Sequence, residues 1–321
     1  MDAKERALFA TLPQESTVFG QHEFPAAVAL YLGLHDPLIV DSIAASGGSL
    51  SHFRDQGVPE GLRPLDKWGN NLSLFMGRGH GRTVYHNDIQ RELARLARAV
   101  GHHVRETPQD VFLPAIVAGA RERYLQQLRR ERGGGDFRGG VVPDLYDPSS
   151  KQMYDVKTTG FKPEYIGRRS VVDVKAAGVP AQYRQRAQNT DAAYNDTPRG
   201  AVGPIEAMLA TMPQVEAFSV GAFGETNRAV HAFLNMLADK GSDAPERFGC
   251  CHGKEQAKGV VAQFLGRRLG RTLLRGAVRF RHVALAAVGG VGGHEPGAAQ
   301  GAAGHLGDEW CASGRPWVPY H

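Results

Sequence analysis

Between Val141 and Thr158 the chain spells out a strand, a tight turn and a returning strand, and this hairpin restricts the available folds more than any other stretch. Val141-Val142 begins the first strand, Asp147-Pro148-Ser149-Ser150 carries strong turn chemistry, and Gln152–Thr158 reads as the return strand. Side chains alternate along a strand, so Asp155 and Lys157 share one face while Tyr154 and Val156 share the other. With Pro148-Ser149 as a two-residue loop, Asp144 pairs with Met153 on the face of Asp155. The two aspartates are then diagonal neighbours, close enough to share one cation.

Mg²⁺, or Mn²⁺ in its place, is held by one or two carboxylates, with waters and substrate phosphate oxygens completing the shell. Water on such an ion loses its proton more easily, and Lys157 beside it can orient it or stabilise charge gathering on phosphorus. The tripeptide alone is cheap, because Asp-x-Lys recurs at Asp2–Lys4 and Asp173–Lys175. Solvated charges on an edge hairpin would look similar. Only the copy at 155–157 has a Pro-Asp upstream, a turn between, a helix before and a helix–strand pair after.

The flanking elements follow from periodicity. Residues 86–100 form the best helix, with His86 or Asn87 as cap, Ile89, Leu93, Leu96, Ala97 and Val100 as its stripe, and Gly101 ending it. A strand at His103–Glu106 follows, then a helix opened by Pro114 and running to about Arg132, broken by three glycines. Past the hairpin come a helix over Pro180–Tyr194, a strand over Glu216–Phe223 and a short helix on Val230, Phe233, Leu234 and Leu237. Upstream, a helix spans Phe24–Leu34 and a turn spans Asp66–Asn71.

Helix, strand, acidic hairpin, helix, strand is an α/β (α+β) order that resembles the PD-(D/E)xK nuclease superfamily. Pro143-Asp144 and Asp155-Val156-Lys157 match its motif, over roughly residues 86–225. The resemblance implies a restriction-endonuclease-like core: a mixed sheet of about four strands flanked by helices, with residues 114–132 inserted between the first two strands. It implies a Mg²⁺- or Mn²⁺-dependent endonuclease acting on DNA, with Asp144 and Asp155 as metal ligands and Lys157 assisting the nucleophile. In many members the first helix adds a carboxylate, and Glu92 is the candidate; an i,i+3 pair with Arg95 is its plainer reading. The helix after the hairpin often places a polar residue near the metal, which singles out Tyr183, Arg184 and Arg186 as nucleic-acid contacts or as a solvated face. More loosely, Leu65–Asn71 leading to Tyr85–Asp88 resembles the run before endonuclease domains of reverse-transcriptase mobile elements, without the cysteines usual there.

Charge and composition agree with a polyanionic partner without requiring one: the net charge is +5. Residues 254–288 read as a basic helix, and Arg267, Arg271 and Arg275 are candidates for phosphate contact, with a solvated face as the alternative. Three cysteines without a pairing pattern, a charged start and no stretch of about 18 apolar residues suggest an intracellular protein that makes no membrane contact. The expected organisation is an irregular or helical segment at 1–80, the nuclease-like domain at 81–240, a basic helical extension at 241–288 and a disordered Gly/Ala-rich tail at 289–321. The rival to an enzyme is a non-catalytic nucleic-acid-binding protein that keeps a degenerate nuclease-like fold.

Overall fold

The computed structural model describes residues 19, 22–47, 52–54, 62–74, 81–132, 140–160, 170–243 and 253–289. The tail expected to be disordered lies outside the described residues. Nine helices are described: α1 (Glu23–Leu32), α2 (Pro37–Ala45), α3 (Gly81–Ala99), α4 (Arg121–Arg132), α5 (Val171–Ala177), α6 (Val179–Tyr194), α7 (Pro204–Thr211), α8 (Arg228–Gly241) and α9 (Lys254–Gly289). A short hairpin, β1 (His52–Arg54) with β2 (Leu62–Pro64), stands apart from the main sheet. That sheet has four strands in the order β3 (Arg105–Glu106), β4 (Leu145–Asp147), β5 (Gln152–Thr158) and β6 (Glu216–Val220). The first three are antiparallel, and β6 runs parallel to β5 after a crossover through α5, α6 and α7. A mixed four-stranded sheet flanked by helices is therefore what the sequence builds.

Alternation along β5 sorts the two sides of the sheet. Tyr154 and Val156, with Phe218 and Val220 of β6, pack under α3, α8 and α9. Met153 and Ala217 face the opposite layer with Val179, Tyr183 and Ala187 of α6 and Tyr124 and Leu128 of α4. Asp155 and Lys157 lie on this second side, as the period of two requires. The insertion differs from the continuous helix expected from Pro114. Two 3₁₀ turns, Leu113–Ala115 and Ala118–Ala120, precede α4, and Asn195 holds the kink by accepting from Val117 N and donating to Ala115 O.

The largest departure is α9. It is no appended extension: Val261, Leu265, Leu269, Leu273 and Ala277 recur every fourth residue and share one core with Ile89, Leu93 and Ala97 of α3 and with Phe233 and Leu237 of α8. α3 and α9 come close at Gly276, where a Cβ would stand 2.2 Å from Tyr85 Cδ2. That contact also accounts for α3 starting at Gly81 rather than at His86, since packing of Tyr85 sustains an extra turn. The N-terminal segment docks on the far half of α9, through Ala26, Ala27 and Val278 in one cluster and Ile39, Leu72 and Leu285 in another.

Candidate functional site

The turn of the acidic hairpin fixes where its aspartates meet. Leu145 pairs with Tyr154, Tyr146 with Met153 and Asp147 with Gln152, so the loop holds four residues, not two. Asp147 causes this: its Oδ1 accepts from Ser149 N and Oγ, its Oδ2 accepts from Ser150 Oγ, and Lys151 closes the turn at φ +59°. Continued by one residue, the observed register sets Asp144 opposite Asp155 itself rather than opposite Met153. Asp144 Oδ2 in fact accepts from Val156 N at 2.6 Å, so its carboxylate lies against the β5 backbone next to Asp155.

Asp155 is 3% exposed, and both its oxygens meet side chains. Tyr183 Oη lies 3.0 Å from its Oδ1 and 3.2 Å from Val142 O, one proton serving two acceptors. Lys157 Nζ sits 2.5 Å from Oδ2. That contact is a buried ion pair in which Lys157 is the partner of Oδ2, and no further donor among the described residues reaches that oxygen. Burial first, and then the Asp144 charge, push the Asp155 carboxyl above the ordinary carboxylate range, against the opposing pull of Lys157. Burial and the two aspartates likewise drive the Tyr183 hydroxyl well up, so it remains a neutral donor. Arg186 stands over the Tyr183 ring at 5.5 Å, and its charge reaches Asp155.

The structure brings in a residue that sequence reasoning had assigned only to a helix cap. His86 lies within α3, and its Nε2 is 3.1 Å from Asp144 Oδ2 while Nδ1 faces Asn87 Oδ1 at 3.2 Å. Both ring nitrogens meet acceptors, which an imidazolium satisfies and a neutral ring cannot. Burial alone would lower its pKa, but Asp144, by charge and hydrogen bond, together with Asn87 and Asp155, raises it to about 9. Gln90, one turn on, donates to Asp144 O and to Thr107 Oγ1. Extending the apolar stripe of α3 back to Tyr85 would have placed His86 inside the helix and on the face of Gln90, four residues away.

Glu92 is not brought to this cluster. At about 100° per residue it projects about 160° away from Gln90, and it pairs with Arg268 of α9 at 2.9 Å and Arg95 at 3.8 Å. Its 5% exposure reflects the α3–α9 interface rather than a metal site. Tyr183, expected as a nucleic-acid contact, is fully buried and supports Asp155 instead. Arg184 is exposed on α6. On α9, Arg267 is exposed and Arg271 half-buried, whereas Arg275 and Arg279 both reach Glu23 of α1, Arg275 at 3.1 Å. Arg275 is thus committed to holding α1 rather than open to phosphate.

Among the described residues, no three His, Cys, Asp or Glu side chains form a ready-made metal cage. Mg²⁺ asks for less than that: one or two carboxylates and substrate oxygens suffice. Asp144 and Asp155, brought side by side across the hairpin, supply two such carboxylates. Among the described residues no single helix is long and apolar enough to cross a membrane. No protein-family model matches the chain, and neither the curated proteins nor the solved structures yield a match.

The electrostatics give a direct expectation for His86. In metal-free protein it stays protonated through neutral pH and titrates near 9, followed by its imidazole NMR resonances. Its folded pKa is raised, so the stability it adds is complete below its unfolded value and is lost as pH rises through about 9. Asp144→Asn removes the largest raising influence and leaves burial opposed only by Asn87 and Asp155, so His86 should then titrate well below its wild-type value. Titration at the same pH in both proteins would refute the pairing.

Proposed function

We propose that this chain is a metal-dependent nuclease with a restriction-endonuclease-like core, hydrolysing phosphodiester bonds in DNA at the Asp144–Asp155 pair. The observation that carries the reading is the convergence, across the hairpin, of two carboxylates, Asp144 against the β5 backbone at Val156 N and buried Asp155 beside it, with Lys157 2.5 Å from Asp155 Oδ2. The antiparallel hairpin, the parallel fourth strand and the helices on both faces support the finer assignment of fold, as does the resemblance of Pro143-Asp144 and Asp155-Val156-Lys157 to the PD-(D/E)xK motif.

Asp144 and Asp155 would hold Mg²⁺ or Mn²⁺, which when bound supplies Lewis acidity and an acidified water. Lys157 places a positive charge where negative charge grows on the phosphate. Tyr183 fixes the orientation of Asp155, and His86 and Val156 N fix that of Asp144. Arg186, half-buried and with its charge felt at Asp155, would meet the strand backbone, and exposed Arg184 on the same helix is a further candidate. Exposed Arg267 and half-buried Arg271 remain available for more distant phosphate contact.

Plasmid nicking with Mg²⁺ against EDTA tests this, with Asp155→Ala as control. Equal activity in the two proteins, or none in wild type on supercoiled, linear and single-stranded DNA, would reject it. One observation favours the rival, a non-catalytic nucleic-acid-binding protein: Glu92 is spent on Arg268 and Arg95, so α3 adds no third carboxylate. Salt-sensitive DNA binding unchanged by Asp144→Ala and Asp155→Ala, without cleavage, would establish it.

A further inference from the structure

Thr107 holds its backbone at φ +45°, in the left-handed region, although it is β-branched and Pro108 follows it. A branched side chain crowds the backbone there, and a following proline favours an extended conformation. Among the described residues, Lys151 and Asp196 are the other non-glycines at positive φ, and neither is β-branched. A conformation of this kind persists only where its surroundings impose it, and such residues gather at functional sites.

What imposes it here is Asp144. β4 begins at Leu145, so the regular strand stops short of this aspartate. The ladder of β3 and β4 pairs Glu106 with Leu145, which brings Thr107 opposite Asp144, and Thr107 N donates to Asp144 O at 2.9 Å. Gln90 of α3, buried, completes the contact: its Nε2 donates to Asp144 O and to Thr107 Oγ1, each at 2.7 Å. The orientation of this amide is chemically fixed, because its carbonyl turned towards Asp144 O would find no proton there. One amide group thus meets two acceptors, and Asp144 O receives two donors, as many as its lone pairs take. The bend is braced on both sides, by Arg98 on Glu106 at 2.9 Å and by Arg105 on Asp110.

His86 sits one turn before Gln90 on α3 and meets the carboxylate of the same aspartate. The helix therefore grips Asp144 at both ends, at Oδ2 through His86 and at the carbonyl through Gln90. The sheet grips it likewise, with Val156 N on Oδ2 and Thr107 N on the carbonyl. A glycine would take the bend at position 107 without strain but would offer Gln90 no hydroxyl. Threonine keeps the hydroxyl and carries the strain.

We infer that Gln90 and Thr107 are positioning residues for Asp144: the strained bend and the amide clamped to it aim that carboxylate at the cation site. The cation rests on the nuclease reading, whereas the aim of the carboxylate is measured without metal. The test compares Thr107→Val, Thr107→Gly and Thr107→Ser with wild type by Mn²⁺ affinity, by melting temperature, and by amide hydrogen exchange of Val156 in EDTA. Valine keeps the shape and the strain without the hydroxyl, glycine removes both, and serine keeps the hydroxyl. Thr107→Val and Thr107→Gly should each lose about tenfold in Mn²⁺ affinity, the lower end of what the partners of metal ligands contribute. Val156 N should exchange about tenfold faster in both, because its acceptor is Asp144 Oδ2. Thr107→Ser should stay within about twofold of wild type in both measurements. Thr107→Gly should nevertheless melt above Thr107→Val, so that affinity separates from stability. Affinity and exchange that stay at wild-type values in Thr107→Val, or that recover in Thr107→Gly along with the melting temperature, overturn the inference. A wild-type chain that binds no Mn²⁺ sinks the metal reading alone, and the exchange of Val156 N still decides whether the clamp aims Asp144.

Discussion

Asp155→Asn lowers Mg²⁺-dependent plasmid nicking by at least about 10²-fold, the loss expected when a charge that stabilises the transition state is removed. The substitution is nearly isosteric at a position 3% exposed, and Tyr183 Oη still finds an oxygen, so the hairpin keeps its shape. What disappears is the negative charge that burial and Asp144 make costly, and that a divalent cation would neutralise. Lys157→Ala should lower the rate as well while leaving Mg²⁺ retention intact, since the proposed mechanism uses the lysine at the phosphate and not as a ligand. Glu92→Gln should leave the rate within about twofold, because the structure sets that carboxylate against α9. A thermal melt of each variant separates lost chemistry from lost fold.

Truncation after Ser242 should abolish cooperative folding rather than release a compact catalytic domain. The fragment would lose Val261, Leu265, Leu269 and Leu273, each at most 1% exposed, and strip the faces of α3 and α8 that they cover. At about 1.5–3 kcal/mol for each buried aliphatic side chain, four of them amount to most of the roughly 5–15 kcal/mol that stabilises an ordinary domain. Exposed Ile89, Leu93, Phe233 and Leu237 would then favour aggregation. Circular dichroism and a melting curve on the 1–242 fragment decide the matter: a sharp transition near that of the full chain would show that α9 is dispensable.

Local signals made most of the elements legible. The stripe of α3, the Pro180–Tyr194 helix and the acidic strand each carry their own period, and each forms within a few residues of its expected place. The hairpin register was not legible, because loop length depends on the Asp147 side chain folding back onto Ser149 and Ser150, and on Lys151 adopting a left-handed backbone. Three short helices, α2, α5 and α7, were missed. α7 has no cap of its own, since its first N–H groups are satisfied by Asp191 from α6, fourteen and fifteen residues away. The fate of Glu92 was hidden for a similar reason: its partner Arg268 lies 176 residues along the chain. In α9 the arginines drew attention to a basic face and masked the fourfold spacing of its aliphatic stripe. His86 was visible but misplaced, because the helix was started at it instead of five residues earlier.

The central claim is that Asp144 and Asp155 form one divalent-cation site, and Mn²⁺ binding followed by electron paramagnetic resonance tests it most directly. The account predicts one bound Mn²⁺ per chain, displaced by excess Mg²⁺, and a loss of at least tenfold in affinity in both Asp144→Asn and Asp155→Asn. Glu92→Gln should bind as wild type does. No saturable Mn²⁺ binding in the wild-type chain, or binding that survives both aspartate substitutions, would contradict it.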